Sequence, residues 1–217
     1  MTLEAAIDHS VLKPNATTEE IIHGAQLCMD YHFAAYCVNS SNVAVAADSL
    51  YGSQIPVAAT IAFPFGSVTT NAKAQETYDA MRLGAREIDM VANIGWILEN
   101  NWIGVTEDIK AVVDAASGAP VKVIIETGYL TRDHIRFAIE AIANAGAHYV
   151  KNSTGFGPKG ADVEEMSWIR KVTPAHLGVK AAGGVRTRSQ AVELINHGIN
   201  RIGTSAGPAL VKKGDNQ

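Results

Sequence analysis

The sequence predicts a single-domain (β/α)8 TIM barrel, and three observations support this fold class. The chain has 217 residues, of which 47% are hydrophobic, which suffices for one well-buried core near the lower size limit of such barrels. Eight short apolar runs typical of strands recur along the chain. Longer segments with helical spacing separate these runs, and strict alternation of this kind favours a parallel sheet closed into a barrel.

The predicted strands are the eight apolar runs, taken in chain order. They centre on residues 6–7, 35–38, 57–61, 88–91, 121–125, 149–151, 179–181 and 201–203. Their short length and largely apolar content are typical of strands that are buried on both faces.

The predicted helices fill the intervals between the runs. They span residues 17–31, 43–50, 69–83, 105–116, 131–145, 163–172 and 188–196. Several begin at a capping signal, such as Thr-Thr-Glu-Glu at 17–20, where a hydroxyl accepts hydrogen bonds from the first free backbone amides. Several end at a glycine, as at Gly84, Gly146 and Gly198, because glycine readily adopts the left-handed conformation that ends a helix.

The alternative fold is a doubly wound open sheet. Neither a GxGxxG nor a GxxxxGK[ST] motif follows the first predicted strand, and no segment suggests a second domain that would form a crevice. We therefore expect one barrel domain over residues 1–217, with a frayed tail over residues 212–217.

Composition favours small molecules as the partners of this chain. The net charge of −4 and the pI near 6.0 provide no basic patch for nucleic acid. Cys28 and Cys37 form neither a CxxC pair nor a ligand cluster, which favours a reduced setting. No secretion signal is recognisable, and no apolar run reaches the roughly 18 residues that span a bilayer. We expect a cytoplasmic protein that binds neither nucleic acid nor membrane.

Five charged residues interrupt the apolar runs: Asp89, Lys122, Glu126, Lys151 and Lys180. Because alternate side chains of a strand point to opposite faces, the apolar neighbours of each charged residue assign it to the barrel interior. A buried ion pair explains any one of them, and Lys122 with Glu126 is the obvious candidate.

Lys151 and Lys180 lie one strand-helix unit apart and therefore on adjacent strands, about 4.8 Å from each other. At about 5 Å and an effective dielectric near 20, two like charges repel by roughly 3 kcal/mol, enough to lower a lysine pKa by about 2 units. Desolvation acts in the same direction. Such an amine is a nucleophile for imine formation with a carbonyl, unless Asp89 merely neutralises it.

Three glycine-containing loops, at 152–157, 181–187 and 203–207, follow the last three predicted strands. Glycines let backbone amides approach an anion closely, hydroxyls add donors, and Arg186 adds a positive charge. Barrels frequently bind phosphate with the loops after strands seven and eight. The pattern therefore predicts a sugar-phosphate site beside the two lysines.

These motifs, in this order, resemble the deoxyribose-phosphate aldolase family over nearly the whole chain. The matching stretches are IDHSVLKP (7–14), CVN (37–39), FPFG (63–66), EIDMV (87–91), VKVIIET (121–127), VKNSTG (150–155) and KAAGGVRT (180–187). The resemblance implies a (β/α)8 enzyme that reversibly cleaves 2-deoxy-D-ribose 5-phosphate to D-glyceraldehyde 3-phosphate and acetaldehyde, with no metal and no organic cofactor.

The resemblance also implies roles for individual residues. Lys151 corresponds to the Schiff-base lysine, Lys180 to the second lysine that perturbs it, and Asp89 to the acid that helps to move protons. The substrate-binding and phosphate-binding candidates are Thr154, Gly155, Gly183, Gly184, Arg186, Gly203 and Ser205. Cys37 faces inward by alternation and is a candidate for substrate contact, although a buried core thiol is the alternative.

Four features depart from the family pattern. Asn152, Ala182 and Ser40 stand where threonine, serine and proline are usual, and no tyrosine follows Tyr149, whereas some members end in a tyrosine that assists proton transfer. None of these departures removes a reacting group.

Other functions remain open from the sequence. One is a different imine-forming barrel, such as a transaldolase or a keto-acid aldolase. A metal-dependent aldolase is disfavoured because the seven histidines form neither an HxH nor an HExxH group. Another alternative is a sugar-phosphate-binding barrel that has lost its chemistry. The outer helices of a barrel could also pair two chains into a homodimer.

Overall fold

The computed structural model describes residues 2–212, and its eight parallel strands close into a barrel in chain order. This confirms the predicted (β/α)8 fold. The strands are β1 Ile7–Val11, β2 Ala35–Asn39, β3 Val57–Ile61, β4 Glu87–Val91, β5 Val121–Ile124, β6 Tyr149–Lys151, β7 Gly178–Ala182 and β8 Arg201–Thr204. Pairing of β8 with β1 closes the sheet, so each strand has two neighbours and no edge is left open.

The helices cover the outside of the barrel. They are α1 Thr18–Tyr31, α2 Val43–Ser49, α3 Thr70–Arg82, α4 Ile94–Leu98, α5 Trp102–Ala115, α6 Arg132–Asn144, α7 Val163–Val172, α8 Arg188–Asn196 and α9 Gly207–Val211. All seven predicted helices are present. The two that the sequence did not predict, α4 and α9, have five residues each, too few to show a helical period.

The ends of the helices follow the predicted signals. Thr17 and Glu20 form a capping box at the start of α1. Gly84, Gly146 and Gly198 have φ angles of 113°, 77° and 84°, the left-handed region in which a residue without a side chain is least strained. These contacts and angles confirm the predicted start of α1 and the predicted ends of α3, α6 and α8, whereas α5 begins at Trp102, three residues before its predicted start.

The first strand begins later than predicted. Residues Glu4–Ala6 form a 3-10 turn, and β1 runs over Ile7–Val11 instead of centring on residues 6–7. The cause is the composition of the strand, because Asp8, His9 and Ser10 make it unusually polar. Only Ile7, its first residue, therefore continues the apolar run that predicts a strand.

Two further expectations concern the C-terminal tail and membrane-spanning helices. The tail predicted over 212–217 lies outside the described residues, apart from Lys212, which follows α9. Within residues 2–212, no helix is long and apolar enough to cross a membrane.

A buried ion pair joins helices α3 and α5 to each other and to β4. The Lys73 ammonium on α3 lies 2.5 Å from Asp108 on α5 and donates a 2.9 Å hydrogen bond to the Val91 carbonyl. Both side chains are fully buried. The pair therefore holds two helices against the C-terminal end of the strand that carries Asp89.

Replacing Lys73 with methionine is expected to lower the free energy of unfolding by about 3–5 kcal/mol, because Asp108 would be left charged and buried without its partner. The exposed pair Lys110–Asp114 on α5 provides the matched control. Lys110→Met should lower the free energy of unfolding by less than about 1 kcal/mol. Urea unfolding of both variants measures the difference, and equal losses would contradict the importance of burial.

Candidate active site

A cavity of about 590 Å³ opens at the C-terminal ends of the strands. It collects nearly every site residue that the sequence predicts: Cys37, Lys151, Thr154, Gly155, Lys180, Gly183, Gly184, Arg186, Gly203 and Ser205. Asp89 lies below this lining and is fully buried. The predicted residues from four strands or their loops therefore line one pocket, and Asp89 from a fifth strand lies beneath it.

Lys151 and Lys180 are direct neighbours in the barrel. They stand opposite each other in the register of β6 and β7, and both ammonium nitrogens lie 2.7 Å from the same oxygen, Oδ2 of Asp89. The two nitrogens are therefore no further apart than twice that distance. This confirms the expected proximity of the two amines and adds that a carboxylate stands between them.

Asp89 also forms an ion pair with a third lysine. Lys122 on β5 donates a 2.9 Å hydrogen bond to the other oxygen, Oδ1, and lies 2.5 Å from Glu87. The suggested ion pair between Lys122 and Glu126 is therefore wrong. Strand β5 ends at Ile124, and Glu126 has a left-handed φ of 52°, so the alternation of faces that assigned it inward stops before it.

A further charged group lies toward the N-terminal ends of the strands. Asp8 accepts a 2.5 Å hydrogen bond from Lys180 and a 2.6 Å bond from Arg201. Arg201 also donates to Glu87 at 3.2 Å. Asp8, Glu87 and Arg201 were not predicted from the sequence, although Glu87 lies two residues before Asp89 and so on the same face of β4.

These seven residues form what we call the inner charge cluster: Asp8, Glu87, Asp89, Lys122, Lys151, Lys180 and Arg201. Three carboxylates face four cations. With all of them ionised, the cluster carries one excess positive charge inside the barrel.

The contacts in the cluster fix the charge of most of its members. Burial alone would raise the pKa of Asp89, but the three lysines around it hold that pKa well below its usual value. In the same way, Lys180 and Lys122 overcome burial and lower the pKa of Asp8 to about 2. Burial alone would lower the pKa of Lys180, but Asp8 and Asp89 raise it above its usual value. Both aspartates are therefore anions and Lys180 is a cation at neutral pH.

Cys37 faces the interior, as its alternation predicts. Its Sγ lies 3.9 Å from Asp89 Oδ2, and burial together with the Asp89 charge raises the thiol pKa to about 11. The side chain is therefore a neutral thiol at neutral pH, which suits contact with a substrate better than nucleophilic attack.

Two loops form the predicted anion-binding side of the pocket. Gly155, Gly183 and Gly184 have φ angles of 85°, 85° and 74°. The loop after β6 lies against the loop after β7, where the Ala161 amide donates a 2.8 Å hydrogen bond to the Gly183 carbonyl. A side chain at Gly160 would collide with that carbonyl, so the close approach of the two loops requires glycine.

Glu126 fixes the first of these loops. Its carboxylate accepts hydrogen bonds from the backbone amide of Thr154, at 3.2 Å to Oε2, and from the Thr154 hydroxyl. Glu126 is nearly fully buried and adopts a conformation that is uncommon outside glycine. The strained backbone therefore aims its carboxylate at the loop that carries Thr154 and Gly155.

Two of the residues that depart from the family pattern, Asn152 and Ser40, form hydrogen bonds in the structure. The Asn152 side chain accepts a 2.7 Å hydrogen bond from the Ala182 amide, which joins the ends of β6 and β7, while its Nδ2 is buried without a partner in the described residues. Ser40 donates a 2.6 Å bond to Glu76 on α3. Neither residue displaces a member of the inner charge cluster.

The pocket also extends toward β1 and α1, which were not predicted to line it. His9, Ser10, Leu12 and His23 contribute to this part of the lining. Burial, with a contribution from His23, lowers the pKa of His9 to about 4, so its ring is neutral at neutral pH. The IDHSVLKP motif at 7–14 was the available signal, because it places polar residues at the end of a strand.

Comparisons with known proteins identify relatives over nearly the whole chain. The family model described as DeoC/LacD family aldolase matches residues 2–211. The deoxyribose-phosphate aldolase of Coprothermobacter proteolyticus is 46% identical over 213 residues, 98% of this chain and 97% of that protein. A putative deoxyribose-phosphate aldolase from Coccidioides immitis has a TM-score of 0.91 and 39% identity, over 95% of this chain and 83% of that one.

A third similar protein is the deoxyribose phosphate aldolase of Aeropyrum pernix, whose structure is described as a unique tetramer. It has a TM-score of 0.90 and 28% identity, over 96% of this chain and 88% of that one. Given the match of the family model over nearly the whole chain and the identity to curated relatives, this chain belongs to the DeoC/LacD family of aldolases.

Proposed function

We propose that this chain reversibly cleaves 2-deoxy-D-ribose 5-phosphate to D-glyceraldehyde 3-phosphate and acetaldehyde, through an imine on Lys151. The observation that carries this proposal is the pair of lysine amines from adjacent strands that share one carboxylate oxygen at the floor of the pocket. Similar chains that carry the name deoxyribose-phosphate aldolase support the choice of substrate.

Lys151 is the nucleophile in this proposal because it has the fewest carboxylate partners of the three lysines in the inner charge cluster. Among residues 2–212, its ammonium group pairs only with Asp89, whereas Lys180 and Lys122 each pair with two or more carboxylates. With the fewest ion-pair partners, its amine is the least constrained of the three, which favours Lys151 as the amine that attacks the carbonyl.

The reaction then follows imine chemistry. The Lys151 amine adds to the C1 aldehyde of the open-chain sugar, and loss of water from the carbinolamine gives a protonated imine. Removal of the C3 hydroxyl proton turns that carbon into a carbonyl, while the electron pair of the C2–C3 bond moves into the imine. Glyceraldehyde 3-phosphate leaves, and the enamine is protonated at C2 and hydrolysed to acetaldehyde and free Lys151.

Lys180 and Asp89 serve the proton transfers. Lys180 remains protonated beside Asp8 and Asp89 and lines the pocket, so it orients a water molecule that takes the C3 hydroxyl proton. Asp89 holds both amines in place. The phosphate of the substrate binds between the glycine loops and Arg186, which converts remote binding energy into alignment of the reacting carbons.

The direct test is a coupled assay for glyceraldehyde 3-phosphate released from deoxyribose 5-phosphate, run with and without EDTA. We expect turnover that EDTA does not change. Binding of the sugar phosphate without turnover would favour a barrel that has lost its chemistry. Turnover only with keto donors other than acetaldehyde would favour a transaldolase or a keto-acid aldolase.

Glu126 provides a test of the phosphate site. Glu126→Gln removes the charge from the acceptor of both Thr154 hydrogen bonds, and we expect KM for deoxyribose 5-phosphate to rise about tenfold with a smaller change in kcat. The control substrate is 2-deoxyribose without phosphate, for which kcat/KM should change much less. Equal losses for both substrates would place the effect of Glu126 outside phosphate binding.

The proposal also covers the setting of the enzyme. We propose a cytoplasmic enzyme whose partners are the small molecules of this reaction, since both cysteines are free and buried, which suits a reducing compartment. A homodimer through the outer helices stays a prediction.

A further inference from the structure

Two aromatic side chains from separate loops meet at the rim of the pocket, and we call them the aromatic pair. Phe63 follows β3 and Phe156 follows β6, and their ring centroids lie 5.5 Å apart with the ring planes at 89° to each other. Phe156 lines the pocket and is 53% exposed, whereas Phe63 is half-buried. Because β3 and β6 are three strands apart in the barrel, the pair joins loops that are not neighbours in the sheet.

The loop that carries Phe63 is fixed by its own backbone contacts. The Ala62 amide donates a 2.8 Å hydrogen bond to Oε2 of Glu76 on α3, and the Ala62 carbonyl accepts a 2.8 Å bond from the Gly66 amide. A side chain at Gly66 would collide with the carbonyl of Ala92, just after β4, so this close approach requires glycine. The position of the Phe63 ring therefore follows from an ordered loop.

The loop that carries Phe156 is fixed in a similar way. The Phe156 amide donates a 3.0 Å hydrogen bond to the Thr154 hydroxyl, which in turn donates to the buried carboxylate of Glu126. A side chain at Gly157 would collide with the same carboxylate. The half-exposed ring of Phe156 is therefore held at the rim of the pocket.

The two sides of the pocket differ in polarity. Glycine loops, Arg186 and Ser205 follow β7 and β8, whereas the side chains of the aromatic pair carry no polar atom. β3 lies opposite β7 in the closed barrel. An exposed aromatic ring gains free energy when an apolar group covers it, so this side of the pocket suits a hydrocarbon group and not a phosphate.

We propose that the aromatic pair determines specificity for acceptor aldehydes that carry an apolar chain in place of the phosphate group. Phe156 contacts the chain, and Phe63 is a positioning residue that holds the Phe156 ring through their edge-to-face contact. The inference rests on the proposed function, because it concerns the second substrate of the same reaction in the direction of synthesis.

The chemistry of this step is the reverse of the cleavage. The enamine that acetaldehyde forms on Lys151 attacks the carbonyl carbon of the acceptor, so that a carbon–carbon bond forms and the carbonyl oxygen takes up a proton. Water then hydrolyses the resulting imine and releases a 3-hydroxyaldehyde and free Lys151. The chain of the acceptor lies against Phe156 while this bond forms.

The experiment measures kcat/KM for the acceptor at saturating acetaldehyde, with propanal, butanal and pentanal as a series and D-glyceraldehyde 3-phosphate as the phosphorylated reference. We expect the unmodified enzyme to gain about twofold to threefold for each added methylene, because each one covers part of the exposed ring. Phe156→Ala should abolish this gain and change the value for the phosphorylated acceptor by less than about twofold. Phe156→Leu keeps an apolar side chain and should retain most of the gain.

Two further variants test the role of Phe63. Phe63→Ala should reduce the gain per methylene, because the Phe156 ring loses its support. Phe65→Ala is the matched control, since it removes a ring from the same loop that is 76% exposed and does not line the pocket, and it should leave the gain unchanged. Flat values along the series in the unmodified enzyme, an unchanged gain in Phe156→Ala, or equal losses for apolar and phosphorylated acceptors would overturn the inference.

Cleavage of deoxyribose 5-phosphate separates this inference from the proposed function. If the unmodified enzyme cleaves the sugar phosphate but shows no gain along the alkyl series, the inference fails and the proposed function stands. If the unmodified enzyme neither cleaves the sugar phosphate nor adds acetaldehyde to any acceptor, both fail.

Discussion

Replacing Lys151 with alanine is expected to lower kcat for cleavage of deoxyribose 5-phosphate by at least about a thousandfold, because no other amine occupies its position. Lys180 stands on the next strand, but Asp8 and Asp89 hold it in the protonated form, which cannot attack a carbonyl. The loss should therefore appear in kcat, with little change in the affinity for the sugar phosphate.

The fold should survive this change. Asp89 retains Lys122 and Lys180 when Lys151 is shortened, so no buried charge is left unpaired. Lys151→Arg is the matched variant, since it keeps the cation but cannot form the imine, and it should be as inactive as the alanine variant.

Trapping provides the measurement. Borohydride added during turnover should leave an ethyl group on Lys151, detectable by peptide mass spectrometry, and neither variant should acquire it. The exposed Lys110 should remain unmodified throughout. An adduct on Lys180 with Lys151 unmodified would contradict the assignment of the nucleophile, whichever variant is inactive.

The reacting residues could be predicted because each interrupts an apolar run. Lys151, Lys180 and Asp89 are single charges among aliphatic neighbours, and the period of two places them inside the barrel. The fold followed from the same runs and from the capped helices between them. The glycine loops were recognisable because they follow directly on strand ends.

The rest of the cluster lacked such a signal. Asp8 lies in a strand whose own polarity conceals it, and Arg201 and Glu87 occupy the first positions of their strands, where a charge is typical of the preceding turn. Glu126 was misassigned for another reason, since its left-handed backbone breaks the alternation. A single sequence carries no indication that a glutamate adopts that conformation.

Asp89→Asn is expected to be the most damaging neutral substitution in the barrel, because Asp89 is the one residue in the described part of the chain that pairs with Lys122, Lys151 and Lys180 together. The shape of the side chain is kept, but three cations then face one another around a neutral amide. We expect a fall in kcat of about 10²–10⁴ from lost alignment and lost proton transfer, and a loss of about 3–5 kcal/mol in the free energy of unfolding.

Asp108→Asn provides the matched control for Asp89→Asn. Asp108 is also a buried aspartate that pairs with a buried lysine, Lys73, but it lies between α3 and α5 outside the pocket. The Asp108→Asn substitution should lower the free energy of unfolding by a comparable amount and leave kcat nearly unchanged. If the two variants lose activity in proportion to stability, Asp89 acts only as a structural ion-pair partner.

The pH dependence of unfolding separates the two roles further. In the Asp89→Asn variant, the crowded lysines release a proton more easily in the folded than in the unfolded state, so the unfolded state binds more protons and stability rises with pH. Urea unfolding between pH 6 and pH 10 should therefore show that the variant's deficit in the free energy of unfolding, relative to the unmodified protein, becomes smaller as pH increases. A deficit that stays constant over this range would mean that the three ammonium groups do not repel one another when Asp89 is neutral, and the electrostatic account of the cluster would fail with it.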